Sequence, residues 1–137
     1  EEPKQNQGQT YQLSEFEQQV FELTNNERTK NGLAPLNVDL ELSRVAREKS
    51  QDMASKKYFA HNSPTYGSPF DMMKSYGISY RTAGENIAKG QRTPAAVVNA
   101  WLNSEGHRAN ILTGNFTHLG LGSIAQGNHW TQQFLGQ

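Results

Sequence analysis

The C-terminal stretch sets the narrowest limit on how this chain can fold. Thr117-His-Leu-Gly-Leu-Gly-Ser-Ile124 and His129-Trp-Thr-Gln-Gln-Phe-Leu135 flank Ala125-Gln-Gly-Asn128. This is a β-hairpin signal, with Gly127-Asn128 supplying the turn. Gly120 and Gly122 are two residues apart and share one face of their strand. A strand face without side chains lets another backbone or a helix approach closely.

The residues before the hairpin follow a helical period. Ser14 opens a first helix, and Glu17 three residues on completes a capping box. Phe16, Val20 and Leu23 form its apolar stripe, and Asn31-Gly32 closes it. A turn at Leu33 to Leu36 leads to Asp39, the N-cap of a second helix. Leu42, Val45, Ala46 and Met53 give that helix a buried stripe, and it runs to about Lys56. Ser68-Pro69 begins a short third helix that ends near Gly77. Thr93-Pro94 begins a fourth, with Val97, Val98, Trp101 and Leu102 on its apolar face. Gly106 is expected to end or bend this helix and to deliver His107 at the bend.

A third strand is expected around Ile78 to Ile87. Helices first and strands last give an α+β class with a small antiparallel sheet. Residues 1–12 are polar and Gln-rich and read as a linker or tail, leaving 13–137 as one folded domain. A chain of 137 residues is long enough to bury a core.

Acidic and basic residues number 13 each, so no basic excess points to nucleic acid or an anionic membrane. Lys56-Lys57, the longest basic cluster, reads as a solvated helix face. No apolar run approaches the length of a membrane span. The opening Glu1-Glu-Pro-Lys-Gln5 has no signal-peptide pattern. The absence of cysteine excludes disulfides and thiolate metal sites, and it leaves the compartment open.

No G-x-S-x-G, H-E-x-x-H, P-loop or dinucleotide glycine fingerprint occurs. Chemistry therefore rests on the four histidines and their neighbours. His118 and His129 lie in expected strands, where a histidine is usually a surface or satisfied core residue. His61 lies in a loop after the second helix, a placement that suits either function or a hydrogen-bonded core histidine. Glu85 precedes the apolar Ile87-Ala88. A partly buried carboxylate needs a partner, for which histidine is the natural choice; a solvated turn glutamate is the alternative. The functional question is whether His61, Glu85 and His107 converge.

Several motifs, in order, resemble the CAP superfamily of cysteine-rich secretory, antigen 5 and pathogenesis-related 1 proteins, in its secreted bacterial branch. They are Thr24-Asn-Asn-Glu-Arg28, Leu33 to Leu36, His61-Asn-Ser-Pro64, Gly84-Glu-Asn-Ile87, Trp101 to Leu112 and Phe116 to Gly122. The resemblance spans roughly Phe16 to the end. It implies an α-β-α sandwich with a cleft holding two histidines and two acidic residues. His61 and Glu85 match the first histidine and the Gly-Glu-Asn glutamate, and His107 looks like the second histidine. The usual second glutamate falls at Ser104 here, with Glu105 one residue later, roughly 100° further round a helix.

The resemblance further implies a divalent metal, zinc first, held by His61 and His107. It implies a secreted or cell-wall-associated, monomeric protein of a Gram-positive bacterium, with a peptide or lipid ligand of the envelope. It fixes no reaction. Two roles stay open: a binding domain at the envelope, or a metal-assisted hydrolase of peptide or cell-wall polymer with Glu85 as general base.

Overall fold

Polar caps begin four helices where the sequence puts them. A computed structural model of the protein describes residues 11–137. Ser14 and Glu17 exchange backbone-to-side-chain hydrogen bonds of 2.9 and 3.2 Å to open α1 (Glu15–Lys30). Asp39 caps α2 (Leu40–Lys56) through Leu42 N. Ser68 and Asp71 form a second capping box at α3 (Pro69–Ser75). Thr93 caps α4 (Pro94–Leu102), with Pro94 in the first turn where its missing N–H costs nothing.

The expectation for Gly106 is overturned. The chain leaves the helical path at Asn103 and Ser104, and a separate helix α5 (Glu105–Ile111) begins next. Gly106 sits in its first turn, so His107 is a helical residue and not a residue at a bend. Asn and Ser weaken helices by offering the backbone competing hydrogen bonds, and here they separate α4 from α5.

Four strands form one sheet in the order β1 (Asn37–Val38), β3 (His118–Ile124), β4 (His129–Gly136), β2 (Thr82–Lys89). β3 and β4 are the expected hairpin, and both turn residues take positive φ, +73° at Gly127 and +50° at Asn128. β2 pairs antiparallel with β4. It starts at Thr82 and not near Ile78, because Ile78 N–H still closes α3 by donating to Met73 O. β1 runs parallel to β3, which makes the sheet mixed; two residues are too few to show a strand alternation in the sequence.

Helices cover both faces, giving the α-β-α sandwich. Val20 of α1, Val97, Val98 and Trp101 of α4 and Ile111 of α5 pack with Leu119, Leu121, Trp130 and Phe134. The other face meets α2. A Cβ on Gly120 would stand 2.6 Å from the Leu42 carbonyl carbon, and one on Gly122 would overlap the backbone of Ala46 and Arg47. The bare strand face therefore seats a helix backbone.

The polar motif on α1 locks the layers together. Thr24 accepts from buried Gln132 of β4, and Asn25 makes a two-way bond with Leu36. Buried Arg28 donates to the carbonyls of Ala34, Ile111 and Thr113, fixing the ends of α1 and α5 together. The tail expected over residues 1–12 lies mostly outside the described residues. Of it, Tyr11 lies under the Arg47 guanidinium, 4.5 Å from the ring centre, and Gln12 O accepts from Arg47.

Candidate functional site

β2 is the edge strand nearest the histidines, and its open side is covered by side chains. Asn110 of α5 donates to Glu85 O and Trp101 of α4 to Ile87 O, at 3.2 and 3.1 Å. An edge with its carbonyls taken in this way is a poor template for a further strand. It is also a fixed rail on which residues from both helical layers can meet.

His61 reaches this rail from the α2–α3 loop. Lys57, in the left-handed conformation at φ 58°, ends α2 and turns the chain outward. Asp52 then gathers the loop: Tyr58 OH and Ser63 Oγ each donate to it at 2.6 Å, and Lys56 pairs with it at 3.4 Å. Burial disfavours the Asp52 charge, but Ser63, Tyr58 and Lys56 prevail and hold its carboxyl below the ordinary value. Ser63 Oγ also accepts the N–H groups of Thr65 and Tyr66.

Glu85 stands opposite Gln133 in the sheet, on the face toward α2. Its Oε1 lies 2.8 Å from His61 Nδ1, and its Oε2 accepts from Gln133 Nε2 at 2.8 Å. The Glu85 side chain is 1% exposed and that of His61 50%. A carboxylate whose two oxygens both face donors fixes the proton of His61 on Nδ1 and leaves the Nε2 lone pair to the open side. Gln133 Oε1 is buried with no partner among the described residues. An unpaired buried acceptor costs roughly 1–3 kcal/mol, so this amide is oriented for Glu85 at the expense of its own second contact.

His107 arrives from the opposite layer, on the first turn of α5. Asn86 Nδ2 donates to His107 O at 3.1 Å and to Gln132 Oε1 at 3.0 Å, and Asn110 donates to Asn86 Oδ1 at 2.9 Å. Burial, and then repulsion from His61 whenever that ring is protonated, lower the His107 pKa from its ordinary 6.5. The structure brings His61 and Glu85 into direct contact, and ties His107 to β2 through its own backbone carbonyl and Asn86.

The fourth position stays open. Ser104 occupies the N-cap of α5 without a side-chain cap bond, and Glu105 is exposed and makes no hydrogen bond to His61, Glu85 or His107. Among the described residues no three His, Asp or Glu side chains form a metal-ligand group. Glu85 backs one imidazole, that of His61. His118 Nδ1 bonds the Thr117 hydroxyl. His129 Nδ1 donates to Gln126 O, and its ring lines a separate groove of about 540 Å³ with Lys57 and Lys89.

Sequence reasoning missed Gln133 and Lys49. Gln133 becomes visible only through strand register. Lys49 had a signal: it lies four residues from both Val45 and Met53, on the buried stripe of α2.

A profile of the cysteine-rich secretory protein family, CAP, matches residues 21–134. The chain is 66% identical over 125 residues to the uncharacterized protein YkwD of Bacillus subtilis, covering 91% of this chain and 49% of that one. An extracellular protein of Bacillus anthracis containing an SCP domain superimposes with a TM-score of 0.86 at 36% identity, over 93% of this chain and 45% of that one. The chain thus spans about half the length of these relatives. NaASP2, crystallised with Zn2+, shares the fold with a TM-score of 0.64 at 14% identity, over 94% of this chain and 86% of that one.

Proposed function

The chain belongs to the cysteine-rich secretory protein family, and we propose that it is an extracellular bacterial binding module. Its ligand, a peptide or lipid of the cell envelope, meets His61 and His107, with Glu85 behind the His61 ring. The observation that carries this reading is the contact of Glu85 Oε1 with His61 Nδ1 at 2.8 Å; the lowered pKa of His107, set by burial first and His61 second, supports His107 as the companion of His61. Among the described residues no helix is long and apolar enough to cross a membrane, and the related B. anthracis protein is extracellular.

A divalent metal fits this donor set as a two-imidazole site. His61, through Nε2, and His107 would hold it, and neutral imidazole suits zinc. Glu85 would orient His61 from behind, the arrangement in which a carboxylate fixes tautomer and ring direction. A bound metal would supply a Lewis-acid centre for an oxygen of the ligand. Two protein ligands make the affinity modest, since zinc ordinarily takes three or four.

The geometry favours binding over hydrolysis. A general base needs a free oxygen toward the reacting water. Both Glu85 oxygens are engaged, by His61 and by buried Gln133. The serine at position 104 removes the second acid of the family pattern. The test is sedimentation of the purified protein with Gram-positive wall and membrane fractions, run beside a turnover assay on peptidoglycan and peptides. Binding lost in His61→Ala and His107→Ala, without turnover, supports the module. Zinc-dependent turnover abolished by Glu85→Gln would instead establish the hydrolase.

A further inference from the structure

Lys49 is a cation in the wrong environment for a residue that serves stability alone. It lies on the apolar stripe of α2 and is 1% exposed. Burying an ammonium is unfavourable unless it is paired and hydrogen-bonded. Its Nζ donates to the carbonyl oxygen of His61 and stands 5.1 Å from the centre of the Tyr58 ring. Burial pulls its pKa down, and Glu85 and Asp52 oppose this through space, neither carboxylate forming a salt bridge with it.

Those two carboxylates are committed elsewhere. Asp52 holds the loop through Tyr58 and Ser63, and Glu85 holds the His61 ring. His61 is therefore gripped twice, at its ring by Glu85 and at its backbone by Lys49. The second grip matters because His61 sits on an exposed loop, with a side chain half open to solvent. Asp52 holds the loop on either side, at Tyr58 and Ser63; the Lys49 bond adds a hold on the His61 carbonyl itself, next to the ring that carries Nε2.

We propose that Lys49 is a positioning residue of the His61 site: its Nζ–His61 O bond, beneath the Glu85–Nδ1 bond, fixes the direction in which Nε2 faces. This rests on reading the histidines as a ligand site. It adds to that reading a residue from inside the helix layer, which touches neither ligand nor metal.

Lys49→Met separates positioning from stability. Methionine is unbranched, of similar length and apolar. Replacing a buried charged group by an apolar one of similar volume is often neutral or stabilising. Lys49→Met should then melt at or above the wild-type temperature. Its His61 ring, read in long-range 1H–15N spectra at about pH 8, above the ordinary imidazole range, should change from a single Nδ1–H tautomer to a mixture. Zinc affinity by calorimetry should fall about tenfold, as for other changes behind a ligand histidine. If Lys49→Met does not fold, Lys49→Gln, which keeps a donor but is shorter, is read in its place by the same tautomer signal.

An unchanged His61 tautomer together with zinc affinity within twofold of wild type overturns the proposal, even where zinc binding itself stands. A changed tautomer in a protein that binds no zinc supports the Lys49 role and removes the metal from the functional reading. The two failures are thus distinguishable.

Discussion

Gly122 of β3 lies directly under the backbone of Arg47 on α2, so close that a Cβ on the glycine would overlap the Arg47 nitrogen. The sheet and the helix touch there backbone to backbone, with Ser50 Oγ donating to Gly122 O at 3.0 Å. Gly122→Ala has no flexible side chain to displace and must push α2 away. It should lose about 3 kcal/mol or more, read from the urea midpoint. A midpoint within experimental error of wild type would contradict the close packing.

Gly106 supplies the opposite case. A Cβ there meets nothing within 4 Å, and the residue lies in the first turn of α5. Gly106→Ala should stabilise by roughly 0.5–1 kcal/mol, through helix propensity and a less free unfolded chain. Destabilisation would restore the expectation that Gly106 breaks the helix.

Trp101 is a structural residue of the core packed against the sheet. It is 1% exposed, and its Nε1 caps the Ile87 carbonyl on the β2 edge. Trp101→Ala should cost about 3–5 kcal/mol. A thermal midpoint lowered by only a degree or two would argue against this.

Glu17 does more than cap a helix. Fully enclosed, it pairs with Arg47 and accepts Ser123 N at 2.7 Å as well as Ser14 N. Glu17→Ala takes the carboxylate partner from a partly exposed Arg47 and leaves two N–H groups without their acceptor, and should cost about 2 kcal/mol or more. A loss near 1 kcal/mol, the value of a cap alone, would show that the Arg47 pair contributes nothing.

His107 makes stability depend on pH. Its pKa in the folded protein lies below its ordinary 6.5, through burial first and His61 second. As pH falls, the unfolded chain takes up this proton before the folded one does. The stability His107 contributes is therefore complete above about 6.5 and is lost as pH falls through the folded-state value. His107→Gln should flatten the dependence of the melting temperature on pH below about 6.5. An unchanged slope in the variant would contradict the depressed pKa.

The sequence made legible those parts of the fold that depend on local chemistry. Ser14-Glu17, Asp39, Ser68-Pro69 and Thr93-Pro94 cap helices through bonds within three residues, and Gly127-Asn128 sets its turn by its own backbone preference. Non-local features were hidden. β1 exists only because residues 37–38 find β3 some eighty positions later. Gln133 meets Glu85 only through strand register, and Lys49 reads as a packing error until its bond to the His61 carbonyl is seen. The candidate trio was legible by family resemblance. From residue spacing alone its convergence could not be derived, because His61 and His107 come from opposite layers. Gly106 misled because glycine is a helix terminator only where φ must be positive, which it is not there.

The central claim is that His61 and His107 form one site, with Glu85 setting the first imidazole. Zinc titration by calorimetry at about pH 7.5, above the ordinary imidazole pKa, tests it most directly on the wild type, His61→Ala, His107→Ala and Glu85→Gln. The account predicts a single modest-affinity site in the wild type. It is lost in both alanine variants and weakened about tenfold or more by Glu85→Gln, which removes the carboxylate behind His61. Equal zinc binding by all four proteins would contradict it.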